Sequence, residues 1–522
     1  MLRNTVIFVA VWFHISCLFI VSQFLNLIFI LKILHPRMPI RGVQYYSTQT
    51  ELPISILDNT ILAIDGFWYL RKYLYISTGE HFNNYSTPLK ECLDPIIKMR
   101  KKVSIIWIWD GLEFRQAAPF NLDRVVATNC AKINNFGTFN KSLFDQELFV
   151  DIATSFLREH EVTVIRAPYS AAAQCSYYLR ESCINYTFGK TDAILFEDCN
   201  KLITEFDFVK STVQVFDRKA FFKSNNLNIE SFRRLAFVSG CEYCPTHPYH
   251  AESFNFQELV EMVNNNTCLS SLDALNFTTE EITKFKTEYP QAFFIVEFNP
   301  VMYLDGIVRP LSTSPCPEDL DRIFGKRQSD FIYQQIFTCS IGIKILSIMM
   351  FQRNKSFYKT NLCNAYEAIL NTKASEINKN EDLFDFLSKK LEIKINWESH
   401  FMKLVQLVFM SLVDCDFDSN GLIKLLNLGS LPADTIDTSQ SRVIYSAENL
   451  KHFYIYNEVF ILYKDLCKLA KAVFKFEQSF DFDLHFNKIA TSELNSEISH
   501  FVSKNYNSAV KMKEILVLLE NK

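Results

Sequence analysis

The chain carries no surplus of positive charge. Its 54 Lys and Arg stand against 58 Asp and Glu, a formal net charge of -4, and this excludes a whole-chain basic field that would draw in nucleic acid. Any such contact has to be local. It also lacks a cysteine framework: fourteen Cys are scattered without a repeating spacing. The near pair Cys241-Glu-Tyr-Cys244 has no second Cys pair or His pair at zinc-ligand spacing, so a reduced intracellular protein is expected. Glycine is scarce, 12 residues beside 48 Phe and 22 Tyr, with Asn-rich stretches such as Glu261 to Thr267. That bias reads as A/T-rich codon usage more than as function. Sequons at Asn84, Asn140, Asn185, Asn265, Asn276 and Asn354 decide little in so Asn-rich a chain.

What is present begins with size: 522 residues at 48% hydrophobic content bury more than one core, so two or three domains are expected. One apolar run, Asn4 to Leu31, has no charged residue and is long enough to span a bilayer. Arg3 precedes it, and Lys32, Arg37 and Arg41 follow, which would leave the rest of the chain cytoplasmic. Residues 1–37 are thus either a membrane segment or an extension ahead of a start at Met38.

Past Pro36 the pattern alternates. Short β-branched and aromatic runs at 60–65, 102–109, 161–166, 192–197 and 212–216 are separated by segments of helical spacing such as 144–160. This is the pattern of a parallel sheet with crossover helices. After about residue 300 the strands thin out, and the chain crosses a stretch at 299–319 containing Pro300, Pro310, Pro315 and Pro317. The expected organisation is an α/β domain over 38–300 and a mostly α-helical domain over 301–522.

Sites in open parallel sheets lie at the carboxyl ends of the strands. There the sequence places Asp65, Asp110, and Asp198 with Glu197 and Asn200, and later Glu242. A single Asp at a strand end is ordinarily a turn or helix-cap residue, whereas several at successive ends are what a pair of Mg²⁺ ions requires. The motifs around them resemble the XPG/flap-endonuclease superfamily. Its MGI-x-G-L start corresponds to Met38-Pro-Ile-Arg-Gly42, its AID to Ala63-Ile-Asp65, and its FDG to Trp109-Asp-Gly111. Its E-A-E-A-x-C-A helix start corresponds to Ser170-Ala-Ala-Ala-Gln-Cys175, its T-E-D-x-D-C-L to Phe196-Glu-Asp-Cys-Asn-Lys-Leu202, and its G-x-D-Y to Gly240-Cys-Glu-Tyr. The resemblance covers roughly residues 38 to 250 and implies a PIN/XPG-like nuclease fold.

It also implies what is missing. Ser170 and Ala172 stand where the family has two metal-binding glutamates, and Asn200 stands for an aspartate. Asp65, Asp110, Asp198 and Glu242 remain. Two ions need closely gathered carboxylates to offset their repulsion, and Mg²⁺ demands near-ideal oxygen ligands. The implied cofactor state is therefore none, or one weak residual Mg²⁺. The segment "PTHPYHAES" replaces the family's glycine hairpin and its basic residues.

Within the superfamily the chain is most similar to fungal maintenance-of-killer-toxin regulators. That similarity implies a cytoplasmic post-transcriptional regulator of mRNA translation or stability, a pseudonuclease scaffold. It would work with an ataxin-2-type, poly(A)-binding-protein-associated partner and reach messenger ribonucleoprotein indirectly. The alternatives are an active metal-dependent 5′ flap-type endonuclease, and a membrane-anchored protein if residues 1–37 are translated. Asp416-Phe-Asp418-Ser-Asn420-Gly421 has EF-hand spacing, but Asn427 falls where the bidentate Glu belongs, so a loop between helices is the plainer reading.

Overall fold

A computed structural model describes residues 40–43, 49–74, 86–114, 147–250, 254–269, 272, 279–315, 320–350, 361–372, 390, 465–466 and 468–473. Contacts divide the chain into two units, 47–229 with 290–522 and 1–46 with 230–289. The apolar run 4–31 and the EF-hand-like loop lie outside the described residues, as does most of the chain beyond 373. Among the described residues no helix is long and apolar enough to cross a membrane.

The larger unit is built on a mixed α/β sheet. Its strands are β1 (Gln49–Pro53), β2 (Ile61–Asp65), β3 (Ser104–Trp109), β4 (Thr163–Arg166), β5 (Tyr186–Phe188), β6 (Lys201–Asp207) and β7 (Thr212–Asp217). The sheet has seven strands in the order β1-β7-β6-β5-β2-β3-β4. Pairings from β6 through β5, β2 and β3 to β4 are parallel, and β7 pairs antiparallel with both β6 and β1. Helices α1 (Gly66–Tyr73), α2 (Ser86–Met99), α3 (Glu147–Glu159), α4 (Ala171–Arg180) and α5 (Arg218–Asn225) connect or follow the strands.

Period-two alternation assigns the two faces of the sheet. Leu62, Ile64, Ile105, Trp107, Trp109, Val164 and Phe188 join Tyr69, Leu93, Ala153 and Leu157 from α1, α2 and α3 in one buried cluster. Trp109 Nε1 donates to Thr154 Oγ1 on α3 at 2.9 Å, so the indole is buried without losing its hydrogen bond. Ala63 and Asp65 fall on the opposite face by the same alternation.

Two expectations need correction. Residues 192–197, read as a strand, contain a 3-10 helix over Thr191–Leu195, and the strand is the preceding triad β5. Asp192 through Phe196 are all buried, and an apolar run buried on every side carries no periodicity to separate strand from helix. The sheet is also not wholly parallel: β6, unanticipated from sequence, turns directly into β7. So short a connection suits only an antiparallel pair.

The smaller unit contains α6 (Ile229–Ser239), α7 (Phe256–Asn264) and the first part of α8 (Thr279–Glu297). Residues 40–43 pack into this unit. Ile40 and Val43 are fully buried, Arg41 N donates to Gly240 O at 2.9 Å, and the Arg41 guanidinium lies 4.6 Å from the centre of the Phe254 ring. His247 is buried with Nε2 against Cys268 O at 3.0 Å, and its Nδ1 accepts from Tyr249 N at 3.3 Å. Burial pushes its pKa down to about 4, with His250 adding to the fall against the pull of the Cys268 carbonyl.

Downstream the larger unit resumes. The proline-rich stretch read as a linker forms a hairpin, β8 (Pro300–Met302) with β9 (Val308–Pro310), packed on α4. Helices α9 (Leu320–Phe324), α10 (Asp330–Phe337), α11 (Lys344–Met350) and α12 (Asn361–Asn371) follow. The buried Asp465 carboxylate accepts from Lys344 N and Ile345 N at 2.8 and 3.2 Å, capping α11.

Two measurements follow from these contacts. At the end of β3, Gly111 N donates to Tyr169 O at 2.6 Å, and a Cβ there would lie 2.0 Å from Ala167 O, a backbone atom. Gly111→Ala is expected to cost about 3 kcal/mol in a urea titration, since overpacking against backbone has no rotamer escape. For His247 the folded pKa lies below the ordinary 6.5, so its stabilising contribution is present above pH 6.5 and is lost as pH falls toward about 4. His247→Gln should flatten stability across that window by about 3 kcal/mol.

Candidate functional site

The carboxyl ends of β5, β2 and β3, neighbours in the sheet, lead into segments that hold four buried charged residues. They are Asp65, Asp110, Lys190 and Asp192, exposed by 3%, 5%, 3% and 0%. Asp65 ends β2 and caps α1, its Oδ1 accepting from Trp68 N at 3.0 Å. Asp110 follows β3, and its Oδ1 accepts from Ala171 N at 2.7 Å, at the first residue of α4. Both carboxylates thus sit on helix N-termini, where unpaired amides and the helix dipole favour negative charge.

Lys190 and Asp192 were not singled out from sequence. They come to this edge because Ile64 pairs with Phe188, which sets Gly189 level with Asp65. A Cβ on Gly189 would lie 3.6 Å from Asp65 Cβ. The available signal was the aromatic triad Tyr186-Thr-Phe188 ahead of Gly189, too short to stand out as a strand.

The helix α4 lies over this edge. Ser170 is its N-cap, with Oγ accepting from Ala173 N at 3.4 Å, and Ala172 is 3% exposed. The two positions where the resemblance implies metal-binding acids therefore hold a cap and a buried methyl group. Cys175, one turn on, is pushed up by burial, with Asp65, Cys199 and Asp110 adding to the rise against a hydrogen bond with Thr187. It is a neutral thiol amid the strand-end acids. Gln174, fully buried, donates from Nε2 to Met302 O at 2.9 Å and accepts from Met302 N at 2.8 Å. Its side-chain amide thereby completes the backbone pairing of β8.

Asp198 and Asn200 lie elsewhere. They precede β6, which runs parallel to β5 with Leu202 opposite Thr187, so they stand toward the amino ends of the strands and away from the edge that holds Asp65 and Asp110. Sequence reading placed them at the carboxyl edge because it took 192–197 as the strand before them. Asp198 Oδ2 accepts from Ser176 Oγ at 3.3 Å. Burial raises its pKa, opposed first by Arg180 and then by the Ser176 bond. Asn200 is clamped by Arg218, whose Nη2 donates to Asn200 Oδ1 at 2.9 Å. The same buried guanidinium donates from Nη1 to Ile194 O and Phe196 O at 3.1 and 2.6 Å, and from Nη2 to Glu197 O. Glu242 belongs to the smaller unit, half-buried in the turn between Cys241 and Cys244.

The donor set at the strand edge does not suit a pair of divalent ions. Two of the expected acids are absent, and among the described residues no three His, Cys, Asp or Glu side chains converge to hold a metal.

No family model matches the sequence, and no curated protein matches it either. Among solved structures, the flap endonuclease-1 of Methanococcus jannaschii aligns at 15% identity over 59% of this chain and 93% of its own, with a TM-score of 0.38. The catalytic core of Rad2 in complex with DNA substrate aligns at 15% identity over 48% and 79%, with a TM-score of 0.34. Human GEN1 in complex with Holliday junction DNA aligns at 12% over 62% and 78%, with a TM-score of 0.34. These structural neighbours are members of the XPG/flap-endonuclease family.

Arg218 supplies the test of the Asn200 placement. Arg218→Lys cannot reproduce a planar fork onto four acceptors, and the carbonyls left unpaired should cost about 3 kcal/mol in thermal or urea unfolding. Asn200→Asp, which pairs a carboxylate with the same guanidinium, should leave stability near that of the wild type and restore no metal-dependent stabilisation.

Proposed function

We propose that the chain is a catalytically degenerate member of the XPG/flap-endonuclease superfamily that acts as an interaction scaffold in post-transcriptional control of mRNA, in the cytoplasm. The observation that carries this reading is the strand edge. Ser170 is used as a helix cap, and Ala172 is packed as core. A two-ion hydrolase holds its ions about 3.5 to 4 Å apart and must offset their repulsion with carboxylates. Here Asp65 and Asp110 accept from helix N-termini instead. Folds outlast the chemistry grafted on them, and this one keeps its sheet and its strand-end framework.

The partner we propose is of the ataxin-2, poly(A)-binding-protein-associated type, with messenger ribonucleoprotein reached through it. The net charge of -4 supports indirect contact, because phosphate-tracking surfaces are basic. We propose no metal cofactor for this activity.

Purified full-length protein in large excess over flap, bubble and single-stranded substrates, with Mg²⁺ or Mn²⁺, is expected to leave them intact on a gel. Divalent-dependent cutting that disappears in Asp110→Ala would establish the endonuclease instead. Affinity purification from native cells should recover the same protein partner before and after ribonuclease. Loss of that partner on digestion, together with RNA binding by the pure chain at physiological salt, would replace the scaffold with a direct RNA-binding role.

A further inference from the structure

The smaller unit carries a pair of thiols that the nuclease-like fold does not use. We propose that Cys241 and Cys244 form a hydroperoxide-sensitive site, closing reversibly to a disulfide. The two residues face each other as an isolated antiparallel bridge, with Cys241 N donating to Cys244 O at 2.9 Å. Hydrogen-bonded antiparallel neighbours have Cα atoms about 5.5 Å apart, inside the window of roughly 4.4 to 6.8 Å that a disulfide spans. Both are reduced, Cys241 half-exposed and Cys244 buried.

The turn is held where it is. Gly240 adopts φ +93, with Thr246 packed where a Cβ would be. Thr246 Oγ1 donates to Ser239 O at 3.1 Å, and His247 N donates to Val238 O at 2.8 Å. The turn backbone that pairs Cys241 with Cys244 is therefore fixed against the end of α6. The contrast is Cys175 with Cys199. Both are buried to 2% or less, burial holds Cys175 far up and Cys199 at about 12, and neither offers a thiolate or a path for oxidant.

In the first step the Cys241 sulfur attacks one oxygen of hydrogen peroxide. The O–O bond breaks, an S–O bond forms, and the products are a sulfenic acid and water. In the second step the Cys244 sulfur displaces the sulfenic hydroxyl. The S–S bond forms, and the hydroxide leaves as water with the Cys244 proton. One peroxide thus oxidises two thiols and yields two waters. So small a ring adds little to stability, and exposed disulfides yield readily to a reducing thiol, so the pair acts as a switch on the turn that carries Glu242 and Tyr243.

The full chain, treated with hydrogen peroxide, blocked with N-ethylmaleimide and mapped by mass spectrometry, should show a Cys241–Cys244 linkage lighter by two hydrogens and reversed by dithiothreitol. Cys175 and Cys199 should stay alkylable after denaturation. In Cys244→Ser, dimedone should trap a sulfenic acid at Cys241. The proposal is overturned if Cys241 and Cys244 remain reduced while Cys92 or Cys183 oxidises, if Cys244 pairs with Cys268, or if Cys241 fails to react with dimedone in Cys244→Ser. None of these outcomes bears on whether the chain cleaves nucleic acid.

Discussion

The hydrogen bond from Ala171 N to the Asp110 carboxylate fixes more of the larger unit than any other contact. It joins the end of β3 to the first turn of α4, and the Gly111–Tyr169 and Leu112–Pro168 backbone bonds run alongside it. The charge that would otherwise be stranded in a buried strand end is met by helix amides, which is among the cheaper ways to keep a carboxylate ionised out of water. Asp65 does the same for α1, Asp217 caps α5 through Ala220 N, and Asp465 caps α11. In each case the carboxylate is held by backbone amides at a helix start.

Burial of α4 follows from that anchor. Residues Ala171 to Tyr178 are all buried, which requires small or amide side chains wherever another layer comes close. The three alanines suit the close approach to the strand edge, and Gln174 suits β8, because a side-chain amide supplies the donor and acceptor that a backbone edge needs. Tyr169, just ahead of the helix, donates to Phe324 O at 2.9 Å and lies 3.3 Å from the Tyr333 hydroxyl, extending the same packing to α9 and α10. Glutamates at 170 and 172 would have to be solvated or metal-bound in this setting. Ser170 and Ala172 meet that burial as a helix cap and a packed methyl group.

How much of this was legible in the sequence depends on pattern length. β2, β3 and β4 were readable because each is a β-branched or aromatic run with clear bounds, and α3 because its apolar spacing persists over three turns. Asp65 and Asp110 were readable as strand-end acids, with residual metal binding and helix capping both left open. β5 was not readable, being a triad with no room for alternation, and losing it displaced everything after it. Residues 192–197 became a strand, Asp198 and Asn200 were carried to the wrong end of the sheet, and Lys190 with Asp192 went unnoticed. The hairpin at 300–310 was hidden by its prolines, which suit its edge positions yet look like linker.

Lys190 closes the physical argument for the strand edge. A lysine only 3% exposed is costly to bury unless it is paired, and Lys190 sits one residue past Gly189, which lies level with Asp65 at the end of β2. A divalent ion entering at this edge would have to dehydrate while gaining no carboxylate from Ser170 or Ala172.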